Sequence, residues 1–306
     1  MNLSDNMRGA LYMVVAMIGF TINDAITKLM SESMNLAQVM LVRGIFASTT
    51  ITLISWRSGA FSQMRLLLQP LVALRAVSEV AATVTFLMAL SQLPIANVSA
   101  ILQALPLAVT MGAALAFGQT VGWRRWIAIC AGFIGVVITV RPGYEGFSSY
   151  SFYALASVFC CTVRDLATSK LPDNIPTLLV STVTSIVVMA TGALLLAPMG
   201  GWTPIEPRNL ALMALGAMLL LLGYHFIIMA MRVGDVSFIS PFRYTSLLSS
   251  ILLGIIIFSE LPDMLMILGA TIIVASGLYT LYRERTVGRY ETAAKSAGPS
   301  MGPDGI

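Results

Sequence analysis

The most regular feature of the chain is a succession of apolar stretches of 18 to 23 residues, separated by short polar connections. A helix rises 1.5 Å per residue, so about 20 such residues cross the roughly 30 Å hydrocarbon core of a bilayer, whereas barrel strands would alternate over about ten residues. The pattern therefore predicts an all-α membrane protein with ten transmembrane helices. We number these predicted spans 1 to 10: residues 9–30, 35–55, 71–92, 96–117, 123–141, 149–170, 176–197, 209–231, 237–258 and 264–282.

The second half of the chain repeats the first at an offset of 141 residues. Asp165 then aligns with Asp24, and Ser240 aligns with Ser99. Each unit contains five spans, an odd number, so the second unit must enter the membrane from the opposite side. The sequence thus predicts two inverted-topology five-helix repeats, residues 9–141 and 149–285, a construction that lets a carrier open alternately to either face. The polar stretch 286–306, with several Gly and Pro residues, is expected to be a disordered cytoplasmic tail.

Composition agrees with a membrane protein. The 306 residues are 57% hydrophobic and only 10% charged, with a mean hydropathy of +0.85. A soluble protein of this length needs more polar surface to face water. We therefore expect an integral membrane protein whose partners include membrane lipid.

Basic residues near the ends of the spans indicate the orientation. One side of the membrane would hold only Lys28, Arg141 and Arg208. The other side would hold eleven: Arg8, Arg57, Arg65, Arg124, Arg125, Lys170, Arg232, Arg283, Arg285, Arg289 and Lys295. The positive-inside rule then places both termini in the cytoplasm and the chain in the inner membrane. The net charge of +4 reflects this topology and anionic headgroups, and it gives no reason to expect a nucleic acid partner.

Seven ionisable side chains fall within the predicted spans, where each must pair or line water. They are Asp24, Arg43, Arg75, Glu79, Arg164, Asp165 and Arg243. Arg75 and Glu79 are four residues apart on one helical face and can pair with each other. Arg164 and Asp165 are adjacent and point about 100° apart, so each is expected to find its partner on another helix. For Asp24, the nearest basic candidate in sequence is Arg43.

These charges divide into two groups of candidates. The first group lies near helix ends, and we expect its members to be structural charges or to couple transport to an ion. These residues are Asp24, Arg43, Arg164 and Asp165. The substrate-binding candidates are Arg243, Tyr244, Arg75, Glu79, Gln103, Asn23, Tyr224, His225 and Ser240. Aromatic members can offer ring faces and hydrogen bonds to a planar ligand. The alternatives are a static ion-pair network for the charges and ordinary packing for the aromatic rings and His225.

Arg243 is the most specific of these candidates because its repeat mate is Leu102, so the symmetry supplies no matching charge. We expect it to contact substrate or to act as the movable partner of Glu79. Pro106 and Pro241 interrupt the hydrogen-bond ladders of spans 4 and 9, which frees carbonyl groups or fixes a static kink. Small residues along spans 5 and 10 indicate close packing between them, with a dimer face as the alternative. The protein is accordingly expected to be a monomer or a homodimer.

Several function classes find no support in the sequence. It lacks a Gly-x-x-x-x-Gly-Lys-Ser/Thr phosphate loop, so hydrolysis of ATP by this chain is not expected. It has one histidine and three cysteines without metal-ligand spacing, and no Gly-x-Ser-x-Gly elbow. We therefore expect no metal site, no cofactor and no catalytic residues. An enzyme with an intramembrane acid pair is the remote alternative.

Short motifs resemble the drug/metabolite transporter superfamily, in its EamA-type branch. The resemblance covers roughly residues 9–285 and rests on the two-unit plan and on Leu93-Pro94-Ile95-Ala96-Asn97, the Gly118–Gly122 turn, Gly132-Phe133-Ile134-Gly135-Val136, Glu260, Gly269 and Gly277. It implies a small-molecule transporter with a cavity lined by spans 1, 3, 4, 6, 8 and 9, and with spans 5 and 10 packed behind.

Four further strings are similar to the bacterial riboflavin-uptake members of this superfamily. They are Leu74–Glu79, Ile101–Pro106, Pro241–Tyr244 and Tyr279–Arg285. This resemblance implies riboflavin uptake by alternating access. The alternative is export of an amino acid or a related metabolite, and a channel is the third possibility.

Overall fold

The computed structural model describes residues 5–59, 69–119, 121–143, 147–172, 175–233 and 235–287, and the regular structure of these residues is helical. A short 3₁₀ segment, Ser240–Tyr244, joins α10 to α11. The helices are α1 (Asp5–Ser31), α2 (Leu36–Arg57), α3 (Pro70–Gln92), α4 (Ile95–Leu102), α5 (Leu105–Phe117), α6 (Trp123–Val140), α7 (Ser151–Ser169), α8 (Thr177–Leu196), α9 (Pro207–Val233), α10 (Val236–Ile239), α11 (Thr245–Phe258) and α12 (Met264–Val287).

These helices form the ten predicted spans. In the described part of the chain, nine segments are long and apolar enough to cross a membrane. The tenth is α7, whose 19 residues measure about 28 Å but include Arg164 and Asp165. Spans 4 and 9 are each divided, into α4 and α5 and into α10, the 3₁₀ segment and α11. Helix α12 continues to Val287, so the predicted tail begins two residues too early, and 288–306 lie outside the described residues.

Polar residues next to the spans fix how the helices begin. The Asn35 side chain caps α2 by accepting a hydrogen bond of 2.8 Å from the backbone of Gln38. The Gln38 side chain in turn accepts from the backbone and hydroxyl of Thr203, at 3.0 and 2.7 Å. These bonds attach the connection between α8 and α9 to the start of α2.

The helices pair across the two repeats. Helix α1 packs against α9, α3 against α7, α2 against α8, α4 against α11 and α6 against α12. Exchanging the two units converts the α1–α9 pair into the α7–α3 pair and returns the α2–α8 and α6–α12 pairs to themselves. This is the contact pattern of two repeats related by a two-fold axis. Together with five spans per repeat, it fits the predicted inverted topology.

Helices α6 and α12 approach each other closely. A Cβ atom built on Gly269 would lie 2.6 Å from the Gly135 carbonyl oxygen and 3.0 Å from the Thr139 amide nitrogen. Neither helix could approach so closely with larger residues at these positions. The predicted packing of spans 5 and 10 through small residues is therefore confirmed. Next to these two helices, Arg141 at the end of α6 forms an ion pair with Asp263, which lies just before α12. The hydrogen bond that Arg141 donates to Asp263 holds the pKa of the Asp263 carboxyl below its usual value.

Candidate functional site

The two divided spans meet at the centre of the protein. Helix α4 ends at Leu102 and α5 begins at Leu105, immediately before Pro106, which has no backbone N–H to donate. In span 9, Pro241 lies in the 3₁₀ segment between α10 and α11. Both prolines thus accompany a break, as the sequence predicted. The breaks place backbone and polar side chains of two repeat-related spans beside each other.

A cavity of about 80 Å³ lies at this junction. Its polar lining comes from Thr21 and Asp24 on α1, Ser99 and Gln103 in span 4, and Arg243, Ser246 and Ser250 in span 9. Apolar residues of α1, α3, α5 and α9 complete the wall. None of the described residues that line it belongs to α7, although the family resemblance implied span 6 as a wall. The volume is well below the roughly 300 to 1,000 Å³ of pockets that enclose whole drug-sized ligands, and we call this conformation closed for that reason.

Hydrogen bonds join the two divided spans across the cavity. The Gln103 side-chain amide donates to the Ser246 hydroxyl at 2.9 Å, and that hydroxyl donates to the Arg243 carbonyl at 3.0 Å. Thr21 of α1 donates to the Ser246 carbonyl at 3.4 Å. Ser246 was not among the sequence candidates. The spacing of Ser246 and Ser250, which places them one helical turn apart on the same face of span 9, could have indicated it.

A cluster of charges lies behind the cavity, between α3 and α7. The Arg164 guanidinium, which is fully buried, contacts Glu79 at 3.2 Å and Asp165 at 2.9 Å. Arg75 donates instead to two hydroxyl groups, of Thr168 at 3.0 Å and of Thr184 at 2.6 Å. We call Arg75, Glu79, Arg164 and Asp165 the α3–α7 charge cluster.

The ion pairs of the cluster differ in part from the expected ones. The ion pair of Glu79 is with Arg164 across the helix interface, whereas Arg75 uses its guanidinium on the two hydroxyl groups. Arg164 and Asp165 also pair with each other, a contact that we did not expect. The 100° between adjacent residues describes where the Cβ atoms point, but the long arginine side chain can bend back to its neighbour. The expected cross-helix partners are Glu79 for Arg164 and Arg243 for Asp165, which acts on it electrostatically.

Arg243 is buried beside this cluster and lines the cavity. Asp165 is the carboxylate that acts electrostatically on it. Glu79, the movable partner that we expected, is occupied by Arg164 in this conformation. Among the charged candidates, Arg243 and Asp24 reach the cavity, while Arg75 and Glu79 belong to the cluster behind it.

The α1 and α2 candidates lie together. Arg43 donates to the Thr27 hydroxyl at 3.3 Å, one helical turn from Asp24, and the Asn23 amide donates to Asp24 at 3.2 Å. Asn23 itself is buried toward Gly216 of α9. Asp24 and Arg43 are therefore in the same region, as the sequence suggested, and their direct pairing stays a prediction.

The remaining candidates lie outside the cavity lining. Tyr224 is buried, and its ring packs edge-on against that of Phe20 with 5.1 Å between the ring centroids. His225, the next residue of α9, is exposed. Ser240 is buried at the start of the 3₁₀ segment. Tyr244 occupies the space left by the missing side chain of Gly277, and its hydroxyl makes no hydrogen bond with the described residues. In this conformation Tyr224, Ser240 and Tyr244 are packed inside the protein without lining the cavity, and His225 faces outward.

An ion pair that sequence reasoning did not single out lies next to Ile95, one of the residues that line the cavity. Lys28 at the end of α1 contacts Glu260 at 2.7 Å and also donates to the Leu93 carbonyl. The second Glu260 oxygen accepts from the Ile95 amide at 2.9 Å. We call this the Glu260 end. It ties together α1, the start of α4 and the end of α11.

The opposite end has the same geometry without the acid. The Lys28 Nζ lies 5.2 Å from the ring centroid of Phe258, and the Lys170 Nζ lies 4.2 Å from the ring centroid of Phe117. Phe117 lies 141 residues before Phe258, the offset of the repeat. Ser259 and Gly118, also 141 apart, end α11 and α5 in the left-handed conformation with φ of 54° and 63°. The mate of Glu260 is Gln119, so at the Phe117 end an amide takes the position of the acid, and Lys170 there is exposed.

Two matches to one family profile coincide with the two repeats. The profile of the EamA-like transporter family matches residues 7–141 and again 148–282. The chain belongs to this family. Its all-helical fold with a duplicated unit is the one that the sequence predicted.

Known transporters are similar along most of the chain. A riboflavin transporter of Vibrio cholerae is 27% identical over 291 residues, covering 93% of this chain and 96% of that protein. An S-adenosylmethionine uptake transporter of Rickettsia prowazekii is 23% identical, covering 92% and 95%. A pseudopaline exporter of Pseudomonas aeruginosa is 25% identical, covering 88% and 94%. The protein is thus a membrane transporter of the EamA type, and its relatives differ in substrate and in direction.

Proposed function

We propose that this chain is an inner-membrane secondary transporter that moves a small polar metabolite by alternating access, with riboflavin uptake as the first activity to test. The observation that carries the proposal is the cavity between spans 4 and 9, which are broken where they meet. Broken spans free backbone groups for a ligand near the midplane. The pseudo-symmetric ends, each with a lysine stacked on phenylalanine, are suitable gates on the two faces.

The riboflavin proposal has two supports. Relatives that carry this name align over most of the chain, and the cavity combines aromatic walls with hydrogen-bonding groups. Phe20 and Phe86 line it together with Gln103, whose amide can donate and accept at the edge of a heteroaromatic ring. The closed cavity is too small for the whole vitamin, so binding requires the spans to separate.

The test is counterflow in proteoliposomes. Vesicles preloaded with unlabelled riboflavin should accumulate labelled riboflavin transiently, with a rate that saturates as its concentration rises. A channel would show no counterflow, and an enzyme would return a chemically altered flavin. A riboflavin-auxotrophic bacterium without its own importer then reports uptake in cells, and failure of a well-expressed protein in both assays would exclude riboflavin as the substrate.

A second candidate substrate is an amino-acid derivative that bears a carboxylate. The buried arginine in the cavity wall favours it, because a guanidinium matches the geometry of a carboxylate. S-adenosylmethionine should therefore be included in the same counterflow assay. Counterflow also works for an exporter, so it does not depend on the direction of transport.

Both termini are proposed to lie in the cytoplasm. The support is the excess of basic residues on that side of the membrane. In a variant without the three native cysteines, a cysteine at Trp202 should react with an impermeant thiol reagent in intact cells, and one at Ser58 should not. Both positions are exposed. The reverse labelling pattern would invert the orientation and leave the fold unchanged.

A further inference from the structure

A groove opens on the outer face of the protein between α6 and α12. Its volume is about 440 Å³. Its small lining residues are Ala128, Ala131, Ala275 and Ser276, and its large exposed ones are Trp123, Ile127 and Tyr279. The described residues that line the central cavity include none of these. We call this feature the α6–α12 groove.

The groove runs from one membrane interface into the hydrocarbon region. It ends where the two helices touch, because a Cβ atom built on Gly132 would lie 3.3 Å from the Cβ atom of Ser276. Its other end lies at Trp123 and Arg124, the first two residues of α6. From Arg124 to Ala131 the groove extends about 10 Å along the helix axis. This length is enough to receive part of an extended hydrocarbon chain.

The interfacial end of the groove is basic and aromatic. The Arg124 side chain is exposed, and its guanidinium carbon lies 5.2 Å from the ring centroid of Trp123. On α12, Arg283 follows the exposed Tyr279 by one helical turn on the same face. Tryptophan and tyrosine favour the level of the lipid headgroups, and arginine at that level attracts anionic lipid. The groove therefore combines an apolar length inside the membrane with positive charge at its mouth.

Charge complementarity separates the two kinds of occupant that such a groove could take. A second copy of the chain, related by a two-fold axis and inserted in the same direction, would bring its own Arg124 to the same depth of the membrane. Like charges would then meet at the interface between the copies. A phospholipid with a negative headgroup matches the groove at both ends, since its acyl chain is apolar and its headgroup neutralises the arginine.

We propose that the α6–α12 groove is a binding site for an anionic phospholipid, with an acyl chain between the two helices and the headgroup bound by Arg124. The orientation proposed above places the mouth of the groove in the cytoplasmic leaflet. The site lies outside the central cavity, so it does not depend on which molecule the protein transports.

Quenching of Trp123 fluorescence tests the position and the selectivity of the site together. The chain has four tryptophans, and Trp123 is the only one in the triple variant Trp56→Phe, Trp126→Phe and Trp202→Phe. This variant is reconstituted in phosphatidylcholine vesicles that contain phosphatidylglycerol or phosphatidylethanolamine with brominated acyl chains. Brominated phosphatidylglycerol should quench at lower mole fractions, with apparent binding stronger on the order of fivefold, as expected for one arginine at the membrane surface. Equal quenching by the two lipids would overturn the proposal.

A matched pair of arginine variants makes this measurement specific. Arg124→Gln should remove the preference for phosphatidylglycerol. Arg57→Gln is the control, because Arg57 is also exposed, follows the exposed Trp56 at the end of α2 and does not line the groove. It changes the net charge by the same amount and should keep the preference. A preference that survives in Arg124→Gln would contradict the assignment of the headgroup.

Native mass spectrometry identifies the occupant directly. The full chain, released from detergent with added phosphatidylglycerol, should retain one lipid that it does not retain with phosphatidylethanolamine of the same acyl chains. Ala275→Phe places a large side chain in the groove at an exposed position, so this variant should lose that lipid at an unchanged Tm in detergent without added lipid. Undiminished lipid retention by Ala275→Phe would overturn the proposal. A lipid-free dimer that Ala275→Phe abolishes would also overturn it and would assign the groove to a second copy.

Discussion

The Glu260 end offers the sharpest test of alternating access, through the substitution Glu260→Gln. Glutamine keeps the size of the side chain and a carbonyl oxygen for the Ile95 amide, but it removes the negative charge that faces Lys28 at 2.7 Å. Lys28 would keep its hydrogen bond to the Leu93 carbonyl. The variant therefore weakens closure of this end without opening a void.

The size of the effect follows from the burial of the pair. The Lys28 side chain is 8% exposed and that of Glu260 is 21% exposed, so the pair is mostly shielded from water. A hydrogen bond to a charged group contributes about 1.5 to 3 kcal/mol. If the pair exists only when this end is closed, its loss should lower the ratio of closed to open protein by about 10- to 150-fold.

Electron spin resonance distances can measure this shift. Spin labels at Glu32 and Leu261, both exposed beside the pair, should show a longer-distance population in Glu260→Gln than in the parent without native cysteines. The matched control is Asp263→Asn, which breaks an ion pair at the same end but between the tightly packed α6 and α12. It should leave the distances unchanged. An unchanged distribution in Glu260→Gln would refute the assignment of this pair to a gate.

Three further predictions follow from single contacts. Gln119→Glu should place an acid beside Lys170 and strengthen closure of the Phe117 end. Because the lysine is exposed, the gain should be at most about 1 kcal/mol. Counterflow should become slower, and an unchanged rate would contradict the mirrored geometry. Gly269→Ala should lower the free energy of unfolding by about 1 to 3 kcal/mol through overpacking, whereas Gly122→Ala, which faces open space, should be neutral in the same thermal unfolding assay. Because the pKa of Asp263 is held below its usual value, its ion pair should stabilise the fold above about pH 4. The Tm advantage of the wild type over Asp263→Asn should shrink from pH 5 to pH 3, and a constant advantage would contradict the assignment.

The architecture could be predicted because it depends on features that are local in sequence. Span lengths follow from the thickness of the bilayer, and the repeat is visible as matching residues at a constant offset. The breaks in spans 4 and 9 were expected because Pro106 and Pro241 lack a backbone donor. The contact of α6 with α12 was expected because glycine and alanine recur along both helices.

The charge pairs were harder to predict because they depend on the rotamers of long side chains. Helical spacing would allow Arg75 to pair with Glu79, yet Glu79 forms its ion pair with Arg164 of the facing helix. Thr168 and Thr184 accept the hydrogen bonds of Arg75. No sequence pattern distinguishes them from the many other hydroxyl residues in these spans. Lys28 and Glu260 lie more than 200 residues apart, and only the fold shows that their helix ends meet.

The two departures from repeat symmetry suggest how a symmetric scaffold acquires a direction and a preference. If both halves were identical, the inward-open and outward-open states would have equal free energies and the cavity would have matching charges on both sides. Glu260, whose mate is Gln119, adds an ion pair with Lys28 at one end only. Arg243 in place of a second leucine adds a charge that only one wall of the cavity presents. We expect the first difference to bias which end rests closed and the second to bias what the cavity accepts, so exchanging the residues at each pair of mates should alter these two properties independently.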